Sequence, residues 1–178
     1  MVNQIIAILS SHIIKKITTS LCVVCLLSFT HQPKIGDQID SLNGVPVFYN
    51  GRNFTHVAGR HYTPDGYNLG LKYQCVEFVK RYYYDVFNHK MPNSLGHAKD
   101  FFDHSLGDIG YNKKRGLLQF RNVRESRPEI NDIIVYGPSS DNRYGHVAIV
   151  SKVFADHIEL IQQNMRHQTR QEINLVNF

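Results

Sequence analysis

The chain has no tryptophan at all, and only three cysteines among 178 residues. Two of these, Cys22 and Cys25, fall in the first 30 residues, so beyond that point Cys75 stands alone. A lone cysteine has no partner, which excludes a disulfide-stapled scaffold for the rest of the chain. No segment recurs at a fixed period, which excludes a solenoid or a propeller. A disordered chain is excluded by composition: hydrophobic residues make up 42% and charged ones only 20%. The longest apolar run, Leu21 to Phe29, falls well short of the roughly 20 residues that a membrane span needs. Acids are missing from residues 1–30, where Lys15 and Lys16 supply two of the five net positive charges. The remainder is only mildly basic. Its basic clusters, Lys113-Lys114-Arg115 and Arg121, Arg124 and Arg127, lack the aromatic interleaving of a nucleic-acid surface, so no nucleic-acid partner is expected. His56, His61, His89, His97, His104, His157 and His167 scatter without ligand spacing, so no metal or other cofactor is expected.

What is present is a core's worth of apolar residues, with ten tyrosines and ten phenylalanines in place of tryptophan. This length suits one globular domain. Lysines before a short apolar run form the pattern of a secretory signal, with Ser28 and Thr30 small enough for a weak cleavage site near His31. The earlier apolar patch Ile5 to Leu9 leaves an uncleaved anchor as the alternative. The expected organisation is therefore a signal peptide or membrane anchor over 1–30, a polar linker over 31–44 and a domain over 45–178. An exported protein follows, with a cytoplasmic one as the alternative, and membrane contact only through residues 1–30 if they are retained. A monomer is expected. The Cys22/Cys25 pair has CxxC spacing but sits inside the apolar run, away from any other ligand pair, which disfavours a redox or metal site.

Along the domain, Val45 to Tyr49 predicts a short strand stopped by Asn50-Gly51, and residues 52–71 predict a long loop. Val76, Val79, Tyr83, Val86 and Phe87 recur at spacings of three and four, which predicts a helix over 73–87 with one buried face and with Lys80 and Arg81 on other faces. A second short helix fits 94–104, and 105–127 predicts loop. Strands follow at 130–136, 147–150 and 158–161, with a closing strand at 171–177. Helices first and an antiparallel sheet after argue for an α+β fold.

Cys75 stands at the mouth of the predicted helix, where the partial positive charge of the helix end favours a thiolate. His146 opens a strand, and Gln162-Gln163-Asn164 closes the next. Cysteine, histidine and amide in that order suit a cysteine hydrolase. The imidazole takes the thiol proton, an amide from Gln162 or Asn164 orients the ring, and the Cys75 N–H with a Gln74 or neighbouring Tyr73 group faces the oxyanion. Glu77 pairs with Arg81 four residues on as a structural ion pair.

The segments Tyr73-Gln74-Cys75-Val76-Glu77-Phe78, Pro128 to Tyr136, Gly145-His146-Val147-Ala148-Ile149-Val150 and Ile158 to Asn164 together resemble the CHAP family, the cysteine, histidine-dependent amidohydrolases/peptidases. Within it they resemble the amidase domain of glutathionylspermidine synthetase/amidase. The resemblance implies a compact papain-like (NlpC/P60-type) fold with N-terminal helices packed on an antiparallel sheet. It places the nucleophile on Cys75 and the base on His146. Where the family often has Glu-Gln-Asn this chain has Gln162-Gln163-Asn164, so a neutral amide replaces a carboxylate, as an asparagine does in papain-like proteases. Asn131 stands where the family usually has glycine, a turn detail. The implied substrate is an amide bond in the peptide part of peptidoglycan, cleaved through a Cys75 thioester. The alternatives are a small amide of the glutathionylspermidine type, or a weakened module that binds cell wall.

Overall fold

The computed structural model describes residues 32–107, 109–122 and 127–175. By its internal contacts the chain divides into 1–31 and 32–178, and only the second unit is described below. The signal-or-anchor reading of residues 1–30 lies outside the described residues.

The second unit opens on a hairpin of β1 (Gln38–Leu42) and β2 (Val45–Phe48). Its turn is Asn43-Gly44, both at positive φ, the pair that a two-residue hairpin favours. β1 thus occupies the segment read as linker, with Ile39 and Leu42 turned toward the core. The segment read as a loop over 52–71 holds a second hairpin, β3 (Arg60–Tyr62) and β4 (Asn68–Leu71). Pro64-Asp65-Gly66 forms its turn, and the Thr63 hydroxyl accepts from the Tyr67 N–H at 2.9 Å.

The helix α1 spans Cys75–Phe87 and ends at Asn88 in the left-handed conformation. It is buried on nearly every side rather than along one stripe, because the main sheet and both hairpins surround it. Lys80 and Arg81 are therefore inside, contrary to the amphipathic reading. They are tolerated because each finds oxygen partners. The Lys80 ammonium donates to the Asn68 carbonyl and, at 2.9 Å, to that of Ser94, and burial pulls it down to about 8. Arg81 donates to Glu77 at 2.7 Å and to the Pro46 carbonyl at 2.8 Å. Glu77 also holds His61 at 2.8 Å and the Gln163 amide at 2.8 Å. Burial alone would raise the Glu77 carboxyl, but His61, Arg81 and Gln163 hold it below its usual range. Among the described residues α1 is the sole α-helix. The second helix expected over 94–104 shrinks to one 3-10 turn, Ala98–Phe101, so the picture of several helices laid on a sheet is not what the fold shows.

The region read as loop over 105–127 contains a third hairpin, β5 (Ile109–Asn112) and β6 (Leu117–Phe120). The main sheet is antiparallel, in the order β10-β9-β8-β7, from β7 (Ile133–Tyr136), β8 (His146–Val153), β9 (His157–Ile161) and β10 (Arg170–Asn174). β8 runs through its middle, with Val147, Ala148, Ile149 and Val150 wholly buried. Its two faces serve two cores. Val147 and Ile149 pack with Cys75, Phe78, Val79 and Tyr82 of α1, whereas Ala148 and Val150 pack with Ile158 and Leu160 on the other side. The architecture is α+β. No helix of the described residues is long and apolar enough to cross a membrane.

Candidate active site

The mouth of α1 meets the main sheet where β9 stops. β9 pairs with β8 only from Ile149 onward, so Val147 has no β9 partner. Cys75 packs in one core with Val147, whose N–H acts on the thiol, and this sets the cysteine beside the residue that follows His146. Cys75 is 7% exposed. Burial pushes its thiol up, and the N–H groups of Val147, Val76 and Cys75 itself pull the other way without overcoming it. The turn that delivers the cysteine is strained: Tyr73 sits at φ 66°, outside the range ordinary side chains prefer. Its ring packs edge-on against Phe48 at 5.4 Å and covers Gly36. Tyr73 is thus a packing residue at the helix entry.

His146 opens β8 directly after Gly145, which lies at φ +72°. A Cβ at residue 145 would stand 2.5 Å from the Tyr136 carbonyl oxygen, so only glycine lets the chain turn into β8 so close to β7. The His146 Nε2 lies 2.9 Å from Gln162 Oε1. The Gln162 amide nitrogen donates to the Gln168 carbonyl at 3.2 Å. That bond orients the amide, so its oxygen faces the imidazole and Nε2 must carry the proton. Nδ1 remains as the nitrogen able to accept one. Burial lowers the His146 pKa and the bond to Gln162 raises it, with burial prevailing. Neither Cys75 nor His146 has a carboxylate acting on it. Both shifts favour the uncharged forms, thiol and imidazole.

Of the two amides considered for the ring, Gln162 is the one that reaches it. Asn164 lies beyond the end of β9 at φ 67°, so the strand alternation that would put residues 162 and 164 on one face is broken. Its amide nitrogen donates to Gln74 Oε1 at 2.6 Å and to the Phe54 carbonyl at 2.9 Å, and its oxygen accepts from Asn50 at 2.9 Å. The Gln74 amide nitrogen in turn donates to the carbonyls of His56, at 2.8 Å, and Phe54, at 3.2 Å. Gln74 and Asn164 thus clamp residues 50–56 onto the helix mouth, and the Gln74 side chain has no N–H left over for an oxyanion in this arrangement. Helix geometry leaves the N–H groups of the first turn, Cys75 among them, as donors. Gln163 is 1% exposed and works inside: its oxygen accepts from the Phe48 N–H at 2.7 Å, and its amide donates to the Gln74 carbonyl at 3.0 Å. Arg166 lies over the Phe54 ring at 4.9 Å, at the edge of the clamped loop.

Sequence reasoning missed Asn50, His56 and Arg166 because they sit in irregular segments with no periodic signal. The Asn50-Gly51 turn was the one clue near them. Asn131 lies at φ 78°, a conformation glycine adopts freely and asparagine tolerates. Its side-chain oxygen accepts from the Tyr82 hydroxyl at 2.7 Å, so the substitution adds a bond to α1. Two clefts of about 380 and 390 Å³ lie against Arg115 and Tyr83, and neither is lined by Cys75 or His146.

The family model of the CHAP domain matches residues 63–164. The chain is 27% identical over 118 residues to a trypanothione synthetase of Crithidia fasciculata, a match covering 66% of this chain and 18% of that protein. It is 32% identical over 101 residues to a glutathionylspermidine synthase of the same organism, covering 54% of this chain and 14% of the relative. It is 30% identical over 79 residues to an endolysin of Staphylococcus phage Twort, covering 44% and 15%. The chain thus matches less than a fifth of the length of these curated relatives.

Proposed function

The chain belongs to the CHAP domain family, and from that premise we propose that it is a cysteine-dependent amidohydrolase/peptidase with Cys75 as nucleophile and His146 as base. One observation supports the reading: Cys75 packs in one core with Val147, the residue that follows His146, whose tautomer Gln162 sets. In this mechanism Nδ1 of His146 takes the thiol proton as sulfur attacks the carbonyl carbon. The C=O electron pair moves to oxygen, where the first-turn N–H groups of α1 face it. The intermediate collapses, the C–N bond breaks, and His146 returns the proton to the departing amine. Water, deprotonated by the same Nδ1, then cleaves the Cys75 thioester. The compact papain-like arrangement is part of this reading.

For the substrate we propose the peptide part of peptidoglycan, acted on after export. The similarity to the phage endolysin supports it, as does the lysine-flanked apolar run before residue 30. The surroundings of the site support it too. Arg166 borders the clamped loop, and the direct partners of Cys75, His146, Gln162, Gln74 and Asn164 include no carboxylate. Arg166 offers a cation to a carboxylate-bearing peptide at that edge. The similarity to glutathionylspermidine synthase motivates the rival substrate. The test is mass spectrometry of fragments released from purified sacculi, with glutathionylspermidine as a parallel substrate. Wild type should release peptide-cleaved fragments and Cys75→Ala none. Equal release by the two would end the cysteine mechanism, and turnover of glutathionylspermidine alone would shift the substrate.

A further inference from the structure

The hairpin β5–β6 is built inside out. Its register sets Ile109 opposite Phe120 and Tyr111 opposite Leu118, so these four side chains share one face. That face is open to solvent: Ile109 is 70% exposed, Leu118 62%, Tyr111 55% and Phe120 47%. The opposite face carries Asn112 and Gln119, which are 2% and 8% exposed. A half-buried hairpin normally turns its apolar side inward. Here amides do the inner work. Asn112 donates to the Phe101 carbonyl at 3.0 Å and to Gln119 Oε1 at 3.0 Å. Gln119 donates to the Asp103 carbonyl at 2.8 Å and accepts from the Asp103 N–H at 2.9 Å. Arg115, buried in the turn, donates to the carbonyls of Asn93, Leu95 and Asp100 and lies over the Phe101 ring at 4.1 Å. The hairpin is thus anchored by polar bonds and by Leu117, which packs against the core, and its apolar face is held outward on a fixed frame. The amidase chemistry uses none of it.

We propose that this face docks onto an anionic lipid surface. Two observations choose that occupant. First, Lys113 stands exposed in the turn at the hairpin tip, beside Lys114, which is 60% exposed and pairs with Asp103 at 3.5 Å; each lysine near an anionic bilayer contributes attraction. Second, four part-exposed side chains offer only a few hundred Å². That is short of the roughly 800 Å² per partner of a stable dimer. A shallow insertion of Ile, Leu, Tyr and Phe into the headgroup boundary needs no such area.

The absence of tryptophan supplies the probe. In the full chain, Tyr111→Trp introduces a single indole on the docking face. Its emission should shift to the blue with phosphatidylglycerol vesicles and stay put with phosphatidylcholine vesicles. Adding Leu118→Glu should weaken that response about tenfold and leave hydrolysis by the enzyme in solution unchanged. An emission maximum unmoved by anionic vesicles overturns the proposal. So does a blue shift that follows protein concentration without lipid, which would mark the face as a contact between copies. A response that Leu118→Glu leaves intact overturns it as well, by assigning binding to another part of the chain. The readout is independent of whether Cys75 is a nucleophile.

Discussion

At the scale of single residues, the site differs from a charged catalytic dyad by one atom type at position 162. With Gln162 the imidazole is oriented but receives no charge. Burial already lowers the His146 pKa, so the acid limb of kcat/KM should lie below the ordinary histidine value of about 6.5. Gln162→Glu adds a negative charge beside Nε2 and raises the folded pKa. The acid limb should then move to higher pH, and Cys75 should alkylate faster near pH 6 because the ion pair gains stability. An unmoved pH profile would mean that His146 does not titrate in the reaction. Gly145→Ala tests position instead of charge. The added Cβ collides with the Tyr136 carbonyl and displaces His146, so kcat should fall by tenfold or more while the fold persists in circular dichroism. The places of Cys75 at a helix mouth and of His146 at a strand start were legible in the sequence. The division of labour between Gln162 and Asn164 was not, because it depends on a left-handed residue that breaks strand alternation.

At the scale of elements, α1 is where pattern and structure part most instructively. Its helix period was readable, as were the apolar runs that became β7, β8 and β9. The burial of Glu77, Lys80 and Arg81 was not, since charged residues are almost never wholly buried unless paired, and their partners come from β2, β4 and Gln163. Replacing Glu77 with Gln leaves the Arg81 guanidinium buried without its counter-ion and should cost about 3–5 kcal/mol in urea unfolding. Glu77→Gln paired with Arg81→Met should cost clearly less than the single change, because no buried charge is orphaned. The hairpins β3–β4 and β5–β6 escaped a sequence reading for different reasons. β3 and β4 are too short for alternation to register, although Pro64-Asp65-Gly66 announced their turn. β5 and β6 do alternate, but against the usual sense.

At the scale of the whole molecule, the compact unit begins ahead of the boundary drawn from composition. β1 brings Asp40, which receives Arg170 at 2.8 and 3.0 Å, and that guanidinium holds the Asp40 carboxyl down to about 2. The β1–β2 hairpin also leads through Phe48 and Asn50 to the loop clamped over the helix mouth. A chain starting at Val45 should therefore melt several degrees below one starting at Gln32 and lose activity with it. Equal melting temperatures would show that β1 is dispensable. Asp40 sharpens this: its folded pKa is depressed, so its contribution is present above about pH 4 and fades as pH falls toward 2.

The burial of Cys75 has a second consequence. Peroxide attacks thiolates, not thiols, so the burial that pushes the Cys75 thiol up also works against sulfenic acid formation. What holds back the activation of this cysteine therefore also holds back its oxidation.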